Sequence, residues 1–179
     1  SEMCIRDRYG LKYRVEGKDT VLMDPSAERN SHGNIYKPSI VRRGCKPEHV
    51  WQVRHYGHAF QVASPAAATA QVLREIRRTS QSNGATFAGH SMDLVEAVTL
   101  IDCVRRHLGI DPVDILQASS GTVCQRWLTR ALVKSSKLAD SPKETEMRLL
   151  AQMVCDKFGL RLEEQVVVRD GGKIVTTFD

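Results

Sequence analysis

Two carboxylates in the last quarter of the chain, Glu144 and Asp179, are of the type that binds Mg²⁺ in hydrolytic sites, and Gln165 is a polar residue between them. Glu144 lies in a helix-start pattern, Gln165 lies on a β-prone segment, and Asp179 follows the next such segment. Mg²⁺ prefers hard oxygen ligands in octahedral geometry, so a site beside a phosphate needs at least two converging carboxylates. Each residue also has a structural interpretation: Glu144 as a capping partner, Gln165 as a cross-strand polar residue and Asp179 as a frayed chain end.

A second group of residues carries the charge that phosphate binding requires. The 179-residue chain has a net charge of +5. Neutralising phosphates releases condensed counterions, so this balance favours a nucleic-acid partner, although solvated surface charge is the alternative. The basic residues that we predict to contact DNA are Arg42, Arg43, Lys46 and Arg54.

Other chemistries find less support in the residue pattern. His55 and His58, with His49 nearby, have a metal-like spacing, but zinc would need two further ligands and no C-x-x-C pair occurs. The five widely spaced cysteines are typical of reduced thiols, which predicts a cytoplasmic protein. No apolar run is long enough to span a membrane, and no signal peptide opens the chain, so no membrane partner is expected.

The patterning predicts an α+β fold. Short β-prone segments at 11–15, 20–23, 39–43, 50–54 and 59–63 suggest a small antiparallel sheet. A helical middle follows. Its helices are predicted from Ser64–Pro65 to about Arg78, from Ser91 to Gly109, from 112 to 118 and from 122 to 135. The inward face of the second helix is predicted to consist of Leu94, Val95, Val98, Ile101 and Val104.

A helix and a hairpin are predicted at the end of the chain. Ser141, Pro142 and Glu144 form a capping box that starts the helix. Asp170-Gly171-Gly172 is a turn signal between two strands, 164–169 and 173–178. The residues that we expect this helix to bury are Met147, Leu150, Ala151, Val154 and Phe158.

The predicted organisation has four parts. Residues 1–8 resemble translated adapter sequence and are interpreted as a non-native tail, with a genuine flexible N-terminus as the alternative. A β-rich unit spans 9–63, a helical region spans 64–138, and a helix–hairpin unit spans 141–179. Because the chain stops directly after a strand, we expect this last unit to be truncated.

Three stretches together resemble a known actinobacterial family. They are the strand-to-helix step Phe60-Gln61-Val62-Ala63-Ser64-Pro65, the helix Leu94-Val95-Glu96-Ala97-Val98-Thr99-Leu100-Ile101-Asp102, and the S-P-x-E-[ST]-x-x-R pattern from Ser141 to Arg148. The family joins a type IV antitoxin-like (AbiEi-like) region to a C-terminal unit similar to the very-short-patch-repair endonuclease, of the PD-(D/E)XK type. The resemblance implies that 64–138 is the AbiEi-like region and that 141–179 is the first part of a restriction-endonuclease-like domain.

The resemblance also implies roles for single residues. Glu144 matches the helix glutamate of the family's site, Asp179 matches the hairpin aspartate and metal ligand, and Gln165 matches a polar position on the first strand. The intact parent would then be a Mg²⁺-dependent, DNA-cleaving protein, and this fragment would be inactive for lack of the next strand. The alternatives are a non-enzymatic antitoxin-type DNA-binding regulator, with a toxin as partner, and a partner-binding scaffold without a nucleic-acid role.

Overall fold

The computed structural model describes residues 21–24, 26–34, 36–42, 45–79 and 84–178. The fold is α+β, as the sequence predicts. The strands are β1 (Val21–Met23), β2 (Ser39–Val41), β3 (Val50–His55), β4 (His58–Ala63), β5 (Thr86–Phe87), β6 (His90–Ser91), β7 (Val166–Asp170) and β8 (Lys173–Phe178). The helices are α1 (Pro65–Thr79), α2 (Met92–Leu108), α3 (Pro112–Ala118), α4 (Gln125–Lys134) and α5 (Pro142–Phe158), with a 3₁₀ turn at Pro47–His49.

Several predicted features lie outside the described residues. They are the tail at 1–8, the strand at 11–15, the start of the next strand at Thr20, the basic residue Arg43 and the predicted metal ligand Asp179. The four-part division of the chain stays a prediction.

The strands before α1 pair differently from the single antiparallel sheet that the sequence suggests. β3 and β4 do form an antiparallel hairpin, but β1 and β2 run parallel in a separate two-stranded sheet. Parallel strands need a connection that carries the chain back to the same end. The polar segment between β1 and β2 does this with a turn in which Asn34 Oδ1 accepts hydrogen bonds from the amides of Tyr36 and Lys37.

Helix α2 is the centre of the helical region and packs against α1, α4 and α5. Its predicted inward face is confirmed, because Leu94, Val95, Val98, Ile101 and Val104 are all buried. Helix α4 adds Trp127, Leu128 and Ala131 to the same core. Burial of long apolar side chains, each contributing about 1.5–3 kcal/mol, is what holds these helices together.

Helix α5 begins as the sequence predicts but presents a different face to the core. Leu149 and Thr145 are buried, whereas Met147 is 64% exposed and Phe158 is 65% exposed. The prediction that Met147, Val154 and Phe158 are buried was therefore wrong. A buried ion pair explains the difference. Arg148 lies on the buried side next to Leu149, and its guanidinium pairs with the Asp102 carboxylate of α2. This pair fixes the rotation of α5 about its own axis.

The chain ends in the predicted hairpin, in which β7 and β8 pair in antiparallel register around the Asp170–Lys173 turn. The apolar side chains of β7 are partly exposed, at 39–44%. Among the described residues, no helix has both the length and the apolar composition that crossing a membrane requires.

Candidate nucleic-acid interface

The β3–β4 hairpin is a ribbon that extends from the helical region into solvent. Tyr56 and Gly57 form its two-residue turn, and both have positive φ values, 47° and 79°. That backbone geometry twists with the flanking strands and is the common one for two-residue hairpin loops. From Arg54 to Val62, through the turn, every residue is exposed.

The base of the ribbon is tied to the helical region. The amide of Ser64 donates to the carbonyl oxygen of His49 at 2.7 Å, just before α1 begins. The hydroxyl of Ser64 in turn accepts from the amide of Ala67 at 3.3 Å and caps α1. The ribbon therefore leaves the molecule in a direction set by the start of a buried helix.

Strand register places ring-bearing side chains on one face of the ribbon. Trp51 pairs with Val62, Val53 with Phe60, and His55 with His58. Because side chains alternate across a strand, these three cross-strand pairs share a face. The rings lie close to one another at the tip, where His55 and Tyr56 have centroids 4.4 Å apart and His58 and Phe60 have centroids 6.4 Å apart.

The basic residues predicted to contact DNA differ in how available they are. Arg54 is exposed and pairs across the ribbon with Ala59, on the face opposite the rings. Lys46 lines an open cleft of about 430 Å³, but Glu48 lines the same cleft and offsets its charge. Arg42 is exposed, and its guanidinium donates to the carbonyl oxygen of Glu28 at 3.5 Å. Arg54 is thus the best placed of these cations to meet a phosphate.

Local sequence gives the ribbon a positive field. From Val50 to Met92 the chain contains one acidic residue, Glu75, against four arginines. Glu75 is itself bound by Arg78, whose Nη2 donates to its carboxylate at 2.6 Å on α1, away from the ribbon strands. The strands of the ribbon therefore present an arginine and two histidines to solvent with no carboxylate on either strand.

Two of the three predicted hydrolytic residues, Glu144 and Gln165, make hydrogen bonds to nearby backbone and side-chain groups. Glu144 Oε2 accepts from the amide of Asp140 and its Oε1 accepts from the hydroxyl of Ser141, both at 2.7 Å, while Ser141 Oγ accepts from the amide of Glu144. This is the capping box of α5. Gln165 has a positive φ of 50° and precedes β7, and its side-chain amide donates to the carbonyl oxygen of Leu138 at 2.6 Å.

A Mg²⁺ site does not fit the residues around Glu144. Both of its carboxylate oxygens are already hydrogen-bonded to the start of α5, and binding an ion would break the cap. Across the part of the chain that the structure describes, no group of three acidic, histidine or cysteine side chains is arranged to hold a metal ion. Asp179, the predicted ligand, lies outside that part.

The sequence reasoning missed a buried polar centre that joins three elements. Asp102 of α2 is 1% exposed and accepts hydrogen bonds from the amide of Ser136 at 2.7 Å, the hydroxyl of Thr145 at 2.8 Å and Nη2 of Arg148 at 2.6 Å. Burial raises the pKa of Asp102, while Arg148 and the hydrogen bonds oppose that rise. Arg148 also donates to the carbonyl oxygen of Lys134 at 2.6 Å, which ties the end of α4 to α5.

This centre gives residues of the two helical motifs a structural role. Asp102 ends the Leu94–Asp102 motif, and Thr145 and Arg148 belong to the S-P-x-E-[ST]-x-x-R pattern. Two sequence features could have indicated this centre: Asp102 lies within an apolar helix, and Arg148 lies four residues after the capping Glu144. They act as the polar contact between α2 and α5.

Comparisons with known proteins found no match. No protein-family model, no curated protein and no solved structure matches the chain significantly. The family resemblance therefore stays a prediction.

Proposed function

We propose that this protein binds DNA through the β3–β4 ribbon and serves as a non-enzymatic, antitoxin-type regulator. The observation that carries the proposal is the ribbon itself, a projecting two-stranded element with exposed rings, an exposed arginine and no carboxylate on its strands. A two-stranded ribbon fits the major groove of B-DNA, where side chains reach base edges.

Electrostatics supports the ribbon as the contacting element. The chain carries a net charge of +5, and most binding free energy of basic proteins for DNA comes from phosphate contacts. Of the arginines on α1, Arg77 pairs with Asp93 and Arg78 pairs with Glu75, so their charges are compensated within the fold. Arg54 has no described salt bridge, and we expect its charge to be available to a phosphate.

The capping role of Glu144 supports the non-enzymatic proposal over the hydrolytic one. A hydrolase built on this helix would need the Glu144 carboxylate for a metal ion, yet the carboxylate accepts two hydrogen bonds that start α5. Removing such a cap costs about 0.5–2 kcal/mol. We therefore propose a DNA-binding unit stabilised by its motif residues, with a toxin as a further partner of the regulator.

DNA binding is tested by fluorescence anisotropy with a labelled duplex over a series of salt concentrations. Each phosphate contact contributes about 0.9 to the slope of log affinity against log salt. We expect the double variant Lys46→Ala, Arg54→Ala to bind more weakly and to lower that slope by about 1 to 2. Arg78→Ala is the matched control, because this arginine is paired with Glu75 and should leave the slope unchanged. Weak binding that does not depend on salt would favour the partner-binding scaffold instead.

An endonuclease remains the second candidate, and one observation favours it. Gln165 bonds to Leu138 and Glu144 bonds to Asp140, so one short connecting segment contacts two of the three predicted catalytic residues. The regulator proposal predicts that supercoiled plasmid incubated with Mg²⁺ and the protein stays intact. Nicking by the wild-type protein that is lost in Glu144→Gln would contradict the regulator proposal and support the endonuclease.

A further inference from the structure

Three large aromatic side chains of the ribbon are exposed rather than buried. Trp51 is 48% exposed, Phe60 is 51% exposed and Tyr56 at the turn is 89% exposed. Aromatic rings usually contribute to a core, because burial of their large apolar area is strongly favourable. A concentration of exposed rings on one small element therefore indicates a binding surface.

The rings are placed so that more than one can contact the same ligand. Trp51 pairs with Val62 and Phe60 pairs with Val53, so the two rings are diagonal neighbours on one face of the ribbon. Diagonal neighbours in an antiparallel pair lie roughly 7–8 Å apart. That separation is about twice the 3.4 Å rise per nucleotide of one DNA strand, which leaves room for a base beside each ring.

The charge of the ribbon selects the kind of ligand. Its strands carry Arg54, His55 and His58 and no acidic residue. An apolar protein partner would not need these polar groups, whereas a polyanion with aromatic faces would use the rings and imidazoles of one face and the Arg54 charge of the other. Nucleic acids have this combination, because aromatic side chains stack on bases while basic side chains follow the backbone.

We propose that the ring face of the ribbon is a stacking platform for the unpaired bases of single-stranded DNA. The proposal rests on the DNA-binding function above and specifies its preferred substrate. In a duplex each base is stacked on its neighbours, so its flat face cannot meet Trp51 or Phe60 without unstacking. The ribbon should therefore bind a single strand, or a single-stranded tail of a duplex, more tightly than a fully paired duplex of equal length.

Tryptophan emission reports this contact directly. The chain has two tryptophans, and they differ in exposure: Trp51 is 48% exposed and Trp127 is 6% exposed. We expect oligo(dT) to quench the emission of Trp51, and Trp51→Leu to abolish the quenching while the emission of Trp127 remains as a marker of the folded core. Removal of one stacking ring should weaken single-strand binding by about 5- to 150-fold.

Two further variants separate stacking from a general structural effect. Trp51→Phe keeps a ring and should retain most of the affinity for oligo(dT). Tyr36→Ala removes a ring that is 86% exposed but lies outside the ribbon, and it should have no effect. Equal loss of affinity in Trp51→Phe and Trp51→Leu would contradict stacking.

The outcomes distinguish this inference from the proposed function. Salt-dependent binding of duplex that equals or exceeds binding of oligo(dT), with no quenching of Trp51, would overturn the platform but leave DNA binding intact. Failure of both oligo(dT) and duplex to bind would overturn both. Tighter binding to oligo(U) than to oligo(dT) would also overturn the proposal, because the occupant would then be RNA.

Discussion

Replacing Asp102 with asparagine should destabilise the protein more than the replacement of any surface carboxylate. Asp102 is 1% exposed, and the side chain of its partner Arg148 is 12% exposed. Asparagine keeps the size of the side chain and one oxygen, which can still accept from the amide of Ser136. It places an NH2 group where the second oxygen accepts from Thr145 and Arg148, and it removes the charge that faces the guanidinium. The remaining carboxylate near Arg148 is that of Glu164, whose Oε2 lies 3.5 Å from Nε.

The magnitude follows from leaving a buried cation without its closest anion. Removing one partner of a buried ion pair typically costs about 3–5 kcal/mol. For a chain of this length each kcal/mol lowers the melting temperature by about 2–4 °C, so we expect a decrease of about 6–20 °C. The residual contact with Glu164 places the expected value toward the lower end of that range.

Urea denaturation followed by circular dichroism measures this change in the free energy of unfolding. The matched control is Glu146→Gln, which breaks the exposed pair with Lys143 on the same helix and should cost less than about 1 kcal/mol. Arg148→Met combined with Asp102→Asn should be more stable than the sum of the single effects predicts, because no buried charge is left unpaired. A loss below about 1 kcal/mol in Asp102→Asn alone would refute the proposal that this centre fixes α5.

Two further predictions concern the fold. Burial, and the nearby cations Lys134 and Arg130, lower the pKa of His90. His90 therefore takes up a proton more readily in the unfolded chain than in the folded protein, and the free energy of unfolding should fall as the pH drops below about 6.5. In thermal melts from pH 7 to pH 5, His90→Gln should lose less stability than the wild-type protein. Leu149→Ala should cost about 2–5 kcal/mol in urea denaturation, whereas Phe158→Ala should cost less than half as much because its ring is 65% exposed; equal losses would restore the original assignment of the α5 core face.

Local sequence patterns were sufficient to predict most of the helices. Ser141 and Glu144 cap α5 as their spacing predicts, and the αL residues Gly109 and Gly159 follow the ends of α2 and α5. These features depend on residues within one helical turn, so the sequence alone contains the information. The β3–β4 hairpin is predictable for the same reason.

Contacts between distant residues were not predictable in this way. The pairing of Asp102 with Arg148 spans 46 positions, and it reverses which face of α5 is buried. An apolar stripe containing Met147, Val154 and Phe158 suggested the opposite face. The spacing of apolar residues does not show whether a charged residue is paired inside the core. The parallel pairing of β1 with β2 likewise depends on the path of the connecting segment and not on the strands themselves.

The position of the predicted site residues shows the same limit. A glutamate three residues after a helix-start serine gives the same sequence pattern whether it caps the helix or binds a metal ion. The hydrogen bonds of Glu144 identify the capping role, and only the structure supplies them. The exposure of the rings on the ribbon was not predictable either, because the alternation of apolar and polar residues along β3 and β4 also fits a half-buried sheet.

Photo-cross-linking tests the DNA contact of the ribbon most directly. A duplex with a single-stranded tail, substituted with 5-bromodeoxyuridine in both regions, is irradiated with the protein, and the cross-linked peptides are located by mass spectrometry. We predict cross-links to Trp51, Tyr56 or Phe60, formed mainly from the tail. Cross-links confined to residues outside 45–63, for example to α5 or to the β7–β8 hairpin, would contradict the account.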